Sequence, residues 1–343
     1  MRFALTDDQV DFRDAVRGLL ADTCPPEAVR AAWAVGREDS EGADADTPDG
    51  RVPGAWAALA EMGVLGVMVP ESAGGLGMTD EDMVPLLMEA GRVGLPDPLS
   101  STAYVAAAQL AAAGGFDDEL AQLAAGDLSV SVGFGPNCLV PNAETADVFL
   151  LADALGTGGA YLVPAGSERV VPVDSVDGTR DLARVTWEPA AGQPAGTAQA
   201  LLDRAALGAA AQLVGLGRTM VEMTVAYAAE RQQFGVPIGS FQAVKHHLAN
   251  ASMGIEFAEP LVLRAANSLT HGDPDASVHV SMAKAKASDA AKAAAAVALQ
   301  CHGGIGYTVE YDLHLYMKRA WALAVEAGDA EFHRTRVRSF LLG

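Results

Sequence analysis

ERQQFGVPIGSFQAVKHHLAN, residues Glu230 to Asn250, is the stretch that decides the fold. Upstream of it, Leu213, Leu216, Met220, Met223 and Tyr227 advance by alternating threes and fours, the apolar stripe of a helix in a bundle. Downstream, Phe241, Val244, Leu248, Ala251 and Ile255 repeat the pattern, and Pro260 predicts a kink or an end to that helix. Gly235 to Gly239 form a glycine-rich turn, so two long helices meet at a short joint. A third helix is expected from about Ala276 to Gln300. It is almost all alanine on one side, which reads as core, with Lys284, Lys286, Asp289 and Lys292 elsewhere. It runs into QCHGGIGYT, Gln300 to Thr308, whose Gly303-Gly304-Ile305-Gly306 read by themselves as a helix cap and turn.

Working outward, the amino-terminal part is also helical. Thr6 and Gln9 have the spacing of a capping box, and Val16, Leu19 and Leu20 continue an apolar face. Gly36 to Gly54 is acidic and rich in Gly, Asp and Pro, as in a mobile surface loop. Helical patterning resumes near Trp56, breaks at Val69 to Met83, where Thr79 with Asp82 can cap the next helix, and continues to about Gly126. Between Leu128 and Pro194 the period changes. SVSVGF, DVFLLAD, AYLVPA, RVVPVD and ARVTWEP are short β-branched or alternating runs, read as strands.

Composition narrows the function. The 343 residues suffice for two or three domains, half of them are hydrophobic, and only 6% are aromatic because alanine dominates the apolar count. A formal charge of −21 argues against nucleic acid, where clustered cations are needed, and is read as serving solubility. Cys24, Cys138 and Cys301 are far apart and fit free thiols in a reducing cytoplasm. No signal peptide is apparent and no run reaches the roughly 20 apolar residues of a membrane span, so the expected location is cytoplasmic. The histidines give no metal site: there is no HExxH, His246 and His247 are adjacent and point apart, His302 beside Cys301 has the same difficulty, and His314 is read as a helix-surface or interface residue.

ERQQFG and QCHGGIGYT together resemble the carboxy-terminal domain of the acyl-CoA dehydrogenases, flavoenzymes that desaturate acyl-CoA thioesters. The resemblance covers nearly the whole chain, with its specificity in the last third. It implies a mostly helical α+β fold: an amino-terminal helical domain over 1–127, a small β-domain over 128–196, and a carboxy-terminal four-helix bundle over 197–343. It also implies FAD lying across a subunit interface, its adenine and pyrophosphate half held by the neighbouring subunit. Arg231 and Phe234 match the family's ERxxFG, Gln242 the next polar contact, and Gln300, Gly303 and Gly304 its QxxGG. A planar, permanently charged guanidinium suits a pyrophosphate oxygen. The alternative for Arg231 is an ion pair with Glu222 or Glu230.

Two departures matter. The family's Thr-Glu-Pro-Gly loop over the flavin is absent, since Ser129 to Asn137 run directly into Cys138-Leu139-Val140. The glutamate that removes the acyl α-proton is also missing: with Gly328 and Arg334 matched, its usual position is Ala327, and the family's other position is Ala205. Glu326 and Asp203 miss by one and two residues, and a one-residue shift turns a side chain by roughly 100° on a helix. Each is expected to be a solvated surface acid. The resemblance therefore implies the short, degenerate subunit of a heteromeric acyl-CoA dehydrogenase of the kind used in actinobacterial steroid side-chain degradation. Such a chain would complete the FAD site of a full-length catalytic partner in a heterotetramer with two copies of each. Acyl-CoA would bind at the partner's site, and an electron acceptor would reoxidise the flavin. The alternatives are a self-sufficient homo-oligomer using Asp203 or Glu326, and a flavin-free binding or scaffold protein.

Overall fold

The computed structural model describes residues 5–33 and 50–343. Most of the acidic Gly36–Gly54 stretch, residues 36–49, lies outside the described residues.

Local capping chemistry starts the first helices and also joins them. Helix α1 (Asp7–Thr23) opens on the predicted box, with Gln9 N–H donating to Thr6 Oγ1 at 3.3 Å and Thr6 N–H to Gln9 Oε1 at 3.0 Å. Helices α2 (Pro26–Ala32) and α3 (Ala55–Glu61) follow. Helix α4 (Asp80–Val93) is begun by Asp82, whose Oδ2 accepts the Thr79 N–H at 2.9 Å. Gln9 Nε2 donates to the other oxygen of Asp82 at 2.9 Å, so one cap holds the other. A wide-turned segment, Ser100–Ala106, then leads into α5 (Ala107–Ala113), and α6 (Asp117–Ala125) ends at Gly126 in the left-handed conformation.

The β-region forms two small sheets. Strands β1 (Val130–Phe134), β3 (Val148–Ala154), β4 (Thr157–Pro164) and β7 (Gln193–Thr197) make one, in the order β1-β3-β4-β7. Strands β2 (Asn137–Val140), β6 (Ala183–Thr186) and β5 (Arg169–Pro172) make the other. Phe149, Leu151, Val163, Val185 and Trp187 pack in a core between them. The five predicted runs are all strands; β2 and β7 are additional.

Five helices complete the chain: α7 (Ala198–Glu230), α8 (Gln242–Thr270), α9 (Ala276–His302), α10 (Leu313–Val325) and α11 (Ala330–Leu342). The expected fourth arm of the bundle is thus broken in two at an elbow, residues 326–329. Between α7 and α8, Gln232–Gln233 (β8) and Val236–Pro237 (β9) form a hairpin. Two expectations need correction. Helix α8 does not end at Pro260, which is exposed on the solvent side, where one lost backbone hydrogen bond can be replaced by water. Lys284 is not on the polar side of α9 but is 0% exposed.

The amino-terminal helices are fastened to the bundle by backbone contact. A Cβ built on Gly215 of α7 would lie 2.0 Å from Met88 O, and one on Gly91 of α4 would lie 2.2 Å from Gln212 O. At this crossing only hydrogen fits. Gly215→Ala should therefore destabilise by about 1–3 kcal/mol through overpacking, although alanine favours helix by up to about 1 kcal/mol. Chemical denaturation would measure this, and an unchanged or raised unfolding midpoint would contradict the reading.

Candidate functional site

The first candidate surface is the joint between α7 and α8. Arg231 caps α7, its N–H donating to Tyr227 O at 2.8 Å and its carbonyl accepting from Ile238 N–H at 2.8 Å. The hairpin that follows turns on Phe234 and Gly235, at φ 54° and 81°. Both central residues of such a tight turn need positive φ. Glycine meets that freely, whereas a phenylalanine there is strained. Phe234 is nevertheless 93% exposed, touching Phe241 edge-on with ring centroids 6.2 Å apart.

The Arg231 side chain is exposed and has no ion-pair partner among the described residues. Glu222, offered as its alternative partner, pairs instead with Arg92 at 2.6 Å. Gln242 is the first residue of α8 and exposed; Gln300, in the last turn of α9, is exposed as well. Gly303 ends α9 at φ 63°, and nothing lies within 4 Å of a Cβ built on Gly303 or Gly304.

His302 holds the two ends together. Its Nδ1–H donates to Ala298 O at 2.8 Å, and its ring stacks on Tyr227 with centroids 4.4 Å apart. Tyr227 is one helical turn before Arg231, and His302 adjoins Gly303. All six residues proposed from the sequence are exposed, and they lie at three helix ends, of which those of α7 and α9 meet through the Tyr227–His302 stack. A free guanidinium, two side-chain amides and open backbone at two glycines form a donor set suited to an anionic nucleotide.

The second candidate is a cleft of about 510 Å³ between the β-region and helices α7 and α10. Ala205 and Ala327, placed separately as the two empty base positions, both line it. Glu326 also lines it, but its carboxylate is held by the Arg180 guanidinium, which comes from the loop before β6. Asp203 is not part of the cleft. It is only 4% exposed, which corrects its reading as a solvated acid. Its carboxylate accepts from Gln199 Nε2 at 2.8 Å and Ser277 Oγ at 2.5 Å, with Arg336 at 3.5 Å, so it ties α7 to α9 and α11.

The elbow beneath the cleft is pinned by side chains that the sequence reading missed. Lys284 Nζ donates to Ala324 O at 3.0 Å, Gly328 O at 3.1 Å and Ser288 Oγ at 3.3 Å. His333 Nε2–H donates to Ala327 O at 3.0 Å, and its Nδ1 lies 3.2 Å from Ser281 Oγ. Ala327 itself has φ 52° and Gly328 φ 94°. Burial pushes the Lys284 ammonium down to about 7, against the opposing pull of the Glu326 and Asp329 carboxylates. Burial, and then the charge of Lys284, take His333 to about 4. A lysine in an alanine stripe was the available signal for Lys284; Arg180 had none.

His314 is buried rather than at a surface, with the edge of its ring on Trp33 at 5.3 Å. His246 and His247 are both exposed. Among the described residues no group of three or more His, Cys, Asp or Glu could hold a metal ion, and no helix is long and apolar enough to cross a membrane.

Comparison with known proteins supplies a family. The model "Acyl-CoA dehydrogenase, N-terminal domain" matches residues 6–117, and "Acyl-CoA dehydrogenase, C-terminal domain" matches residues 195–342. The chain is 35% identical to acyl-CoA dehydrogenase IpdE2 of Mycobacterium tuberculosis, over 90% of this chain and 89% of that one. Among solved structures it is similar to a variant of the steroid ACAD Tcur3481-Tcur3483, at 25% identity and TM-score 0.84 over 98% of both chains. The fold is likewise that of the ChsE4-ChsE5 complex from Mycobacterium tuberculosis, at 22% identity and TM-score 0.83 over 99% of both chains.

The elbow makes a pH prediction. Lys284 falls from its ordinary 10.5 to about 7 in the folded chain, so between these values the unfolded chain binds the extra proton. Its contribution is complete above the unfolded value and is lost as pH falls towards 7. The melting temperature of the wild type minus that of Lys284→Met should therefore rise from pH 6.5 to pH 9. A flat or falling difference would show that burial does not depress this amine.

Proposed function

Because the chain belongs to the acyl-CoA dehydrogenase family, we propose that it is the half-site subunit of a heteromeric acyl-CoA dehydrogenase. In this reading it lends the exposed face at Arg231 to the FAD of a full-length partner. The observation that carries the proposal is the asymmetry between the two surfaces. Every residue matched to the neighbour-facing half of the cofactor site is exposed and open, while both base positions in the chain's own cleft are alanines.

Bound in the partner's site, the flavin supplies the hydride-accepting chemistry of acyl-CoA desaturation. This chain's part is to bind and orient. The Arg231 fork meets a pyrophosphate oxygen, Gln242 and Gln300 offer amides, and Gly303 and Gly304 let backbone approach the nucleotide. The partner carries the catalytic glutamate and the acyl-CoA, in an assembly with two copies of each chain, and a separate acceptor reoxidises the flavin. A similar solved structure, the steroid ACAD Tcur3481-Tcur3483, bears two names and supports both the pairing and a bulky polycyclic thioester as substrate. Catalysis by this chain alone is less well supported, since Asp203 is bound into the helix packing and Glu326 is ion-paired.

The test is FAD retention in the co-expressed complex. Arg231→Ala should weaken FAD binding about tenfold to a hundredfold, the loss of a charge-assisted contact worth roughly 1.5–3 kcal/mol. Arg231→Lys should restore only part of it. The chain purified alone should show no acyl-CoA-dependent dye reduction. Unchanged FAD affinity in Arg231→Ala, or steady turnover by the lone chain, would remove the proposal.

A further inference from the structure

Arg231 and Gly303 lie at the ends of two different helices, and a buried histidine stands between them. His302 is only 4% exposed, although the glycines that follow it are open. Its ring stacks on Tyr227 with centroids 4.4 Å apart and meets Tyr311 at 4.7 Å. Tyr227 carries this contact to the arginine, because its carbonyl accepts the Arg231 N–H at 2.8 Å. Its hydroxyl donates to the His302 carbonyl at 3.4 Å. In its last two turns α7 fully buries only Thr224 and Ala228, both small, so the ring of Tyr227 is what grips the end of α9.

That grip suits a neutral ring. Nδ1–H is spent on Ala298 O at 2.8 Å, and Nε2 is buried with no hydrogen-bond partner among the described residues. An unpaired acceptor there is a modest cost. A second N–H would be a donor on a buried cation with no acceptor, which costs far more. The carboxyl end of a helix and two tyrosine faces attract a cation, but neither supplies that acceptor. The titratable groups facing the ring are Tyr227 from α7 and Tyr311 from the turn before α10, with Cys301 beside it on α9. Burial lowers the proton affinity of His302 and the Ala298 carbonyl alone raises it. Glu230 at the end of α7 does not contribute, nor do Lys245, His246 and His247 at the start of α8.

From this we infer that His302 is a positioning residue of the half-site that works only as a neutral imidazole: protonation releases it from the stack, and the ends of α7 and α9 that carry Arg231 and Gly303 part. The inference rests on the reading of these helix ends as a nucleotide half-site, and adds the condition under which they are set to receive one. Released into water, the ring has its ordinary proton affinity, at 6.5, and in the stack it has a lower one. The stacked form is therefore favoured above that value and is lost as pH falls below it. FAD held by the stacked form leaves with it, with no change in any residue that touches the cofactor.

Two measurements separate the histidine from the cofactor. On the full chain alone, hydrogen exchange is followed by mass spectrometry over the peptide from Tyr227 to Arg231. It should be about threefold faster in the wild type than in His302→Phe at pH 5.5, and equal in the two at pH 7.5. In the co-expressed complex, wild-type FAD affinity should fall about fivefold from pH 7.5 to pH 5.5. His302→Ala, with its circular dichroism unchanged, should be about fivefold weaker than the wild type already at pH 7.5. His302→Phe keeps a ring for the stack and should recover most of that affinity without the decline at low pH. Equal exchange at pH 5.5, the full decline persisting in His302→Phe, or wild-type affinity in His302→Ala where Arg231→Ala loses FAD would each overturn the inference. The half-site can fail separately: unchanged FAD affinity in Arg231→Ala, together with the exchange difference, would remove the nucleotide and leave the role of His302 in place.

Discussion

The axial position of α7 depends on a contact that admits no side chain. At Gly215 and Gly91 two helices meet backbone to backbone, and a single methyl on Gly215 would fall 2.0 Å from a carbonyl oxygen of α4. Such a contact cannot slide, because one residue of slip replaces hydrogen by carbon. At 1.5 Å per residue, Arg231 lies about 24 Å along α7 in one direction and Ala205 about 15 Å in the other. One glycine pair therefore sets both the exposed guanidinium and the inner end of the cleft. The alanines around it serve the same end, since small side chains let α7 and α9 approach closely along their buried faces.

The remaining mobile joints are fixed by polar groups. At the far end of α7, the Tyr227–His302 stack brings the last turns of α7 and α9 together, next to Arg231 on one helix and Gly303 on the other. At the elbow, Lys284 and His333 bind three carbonyls that the broken helix leaves without intrahelical partners. A titratable group buried in this way is costly, and its lowered proton affinity is the measure of that cost. The cost is offset because the alternative, unsatisfied carbonyls under a left-handed Ala327, would also be unfavourable.

What could be read from the sequence follows the range of the interactions involved. Both capping boxes were legible because four consecutive residues contain the whole interaction, and the long stripes of α7 and α8 were legible because their period repeats. Ala205 and Ala327, picked out separately in the sequence, line one cleft in the folded chain. Strands β2 and β7 were missed for opposite reasons. Asn137–Val140 follows a Gly-Pro pair that reads as loop, and Gln193–Thr197 contains Pro194 and Gly196 but is tolerated at a sheet edge. The burial of Asp203 could not be seen, because Ser277 and Arg336, which satisfy it, are 74 and 133 residues away. Arg180 was illegible in the same way, and for Lys284 a lysine in an alanine stripe was the only hint, because the groups they meet belong to an elbow whose shape exists only in the folded chain.

The elbow also explains why this cleft is not one substitution away from the chemistry of its family. Ala327 occupies a left-handed backbone conformation, a cost of about 1–2 kcal/mol that alanine already carries and glutamate would share. Its carbonyl is committed to His333, and the next carbonyl to Lys284. A glutamate placed there would bring a second carboxylate to a wall where Arg180 already pairs with Glu326. It would compete for that guanidinium rather than stand free as a base. The ion pair and the pinned elbow therefore act in one direction, against a free carboxylate at this wall of the cleft.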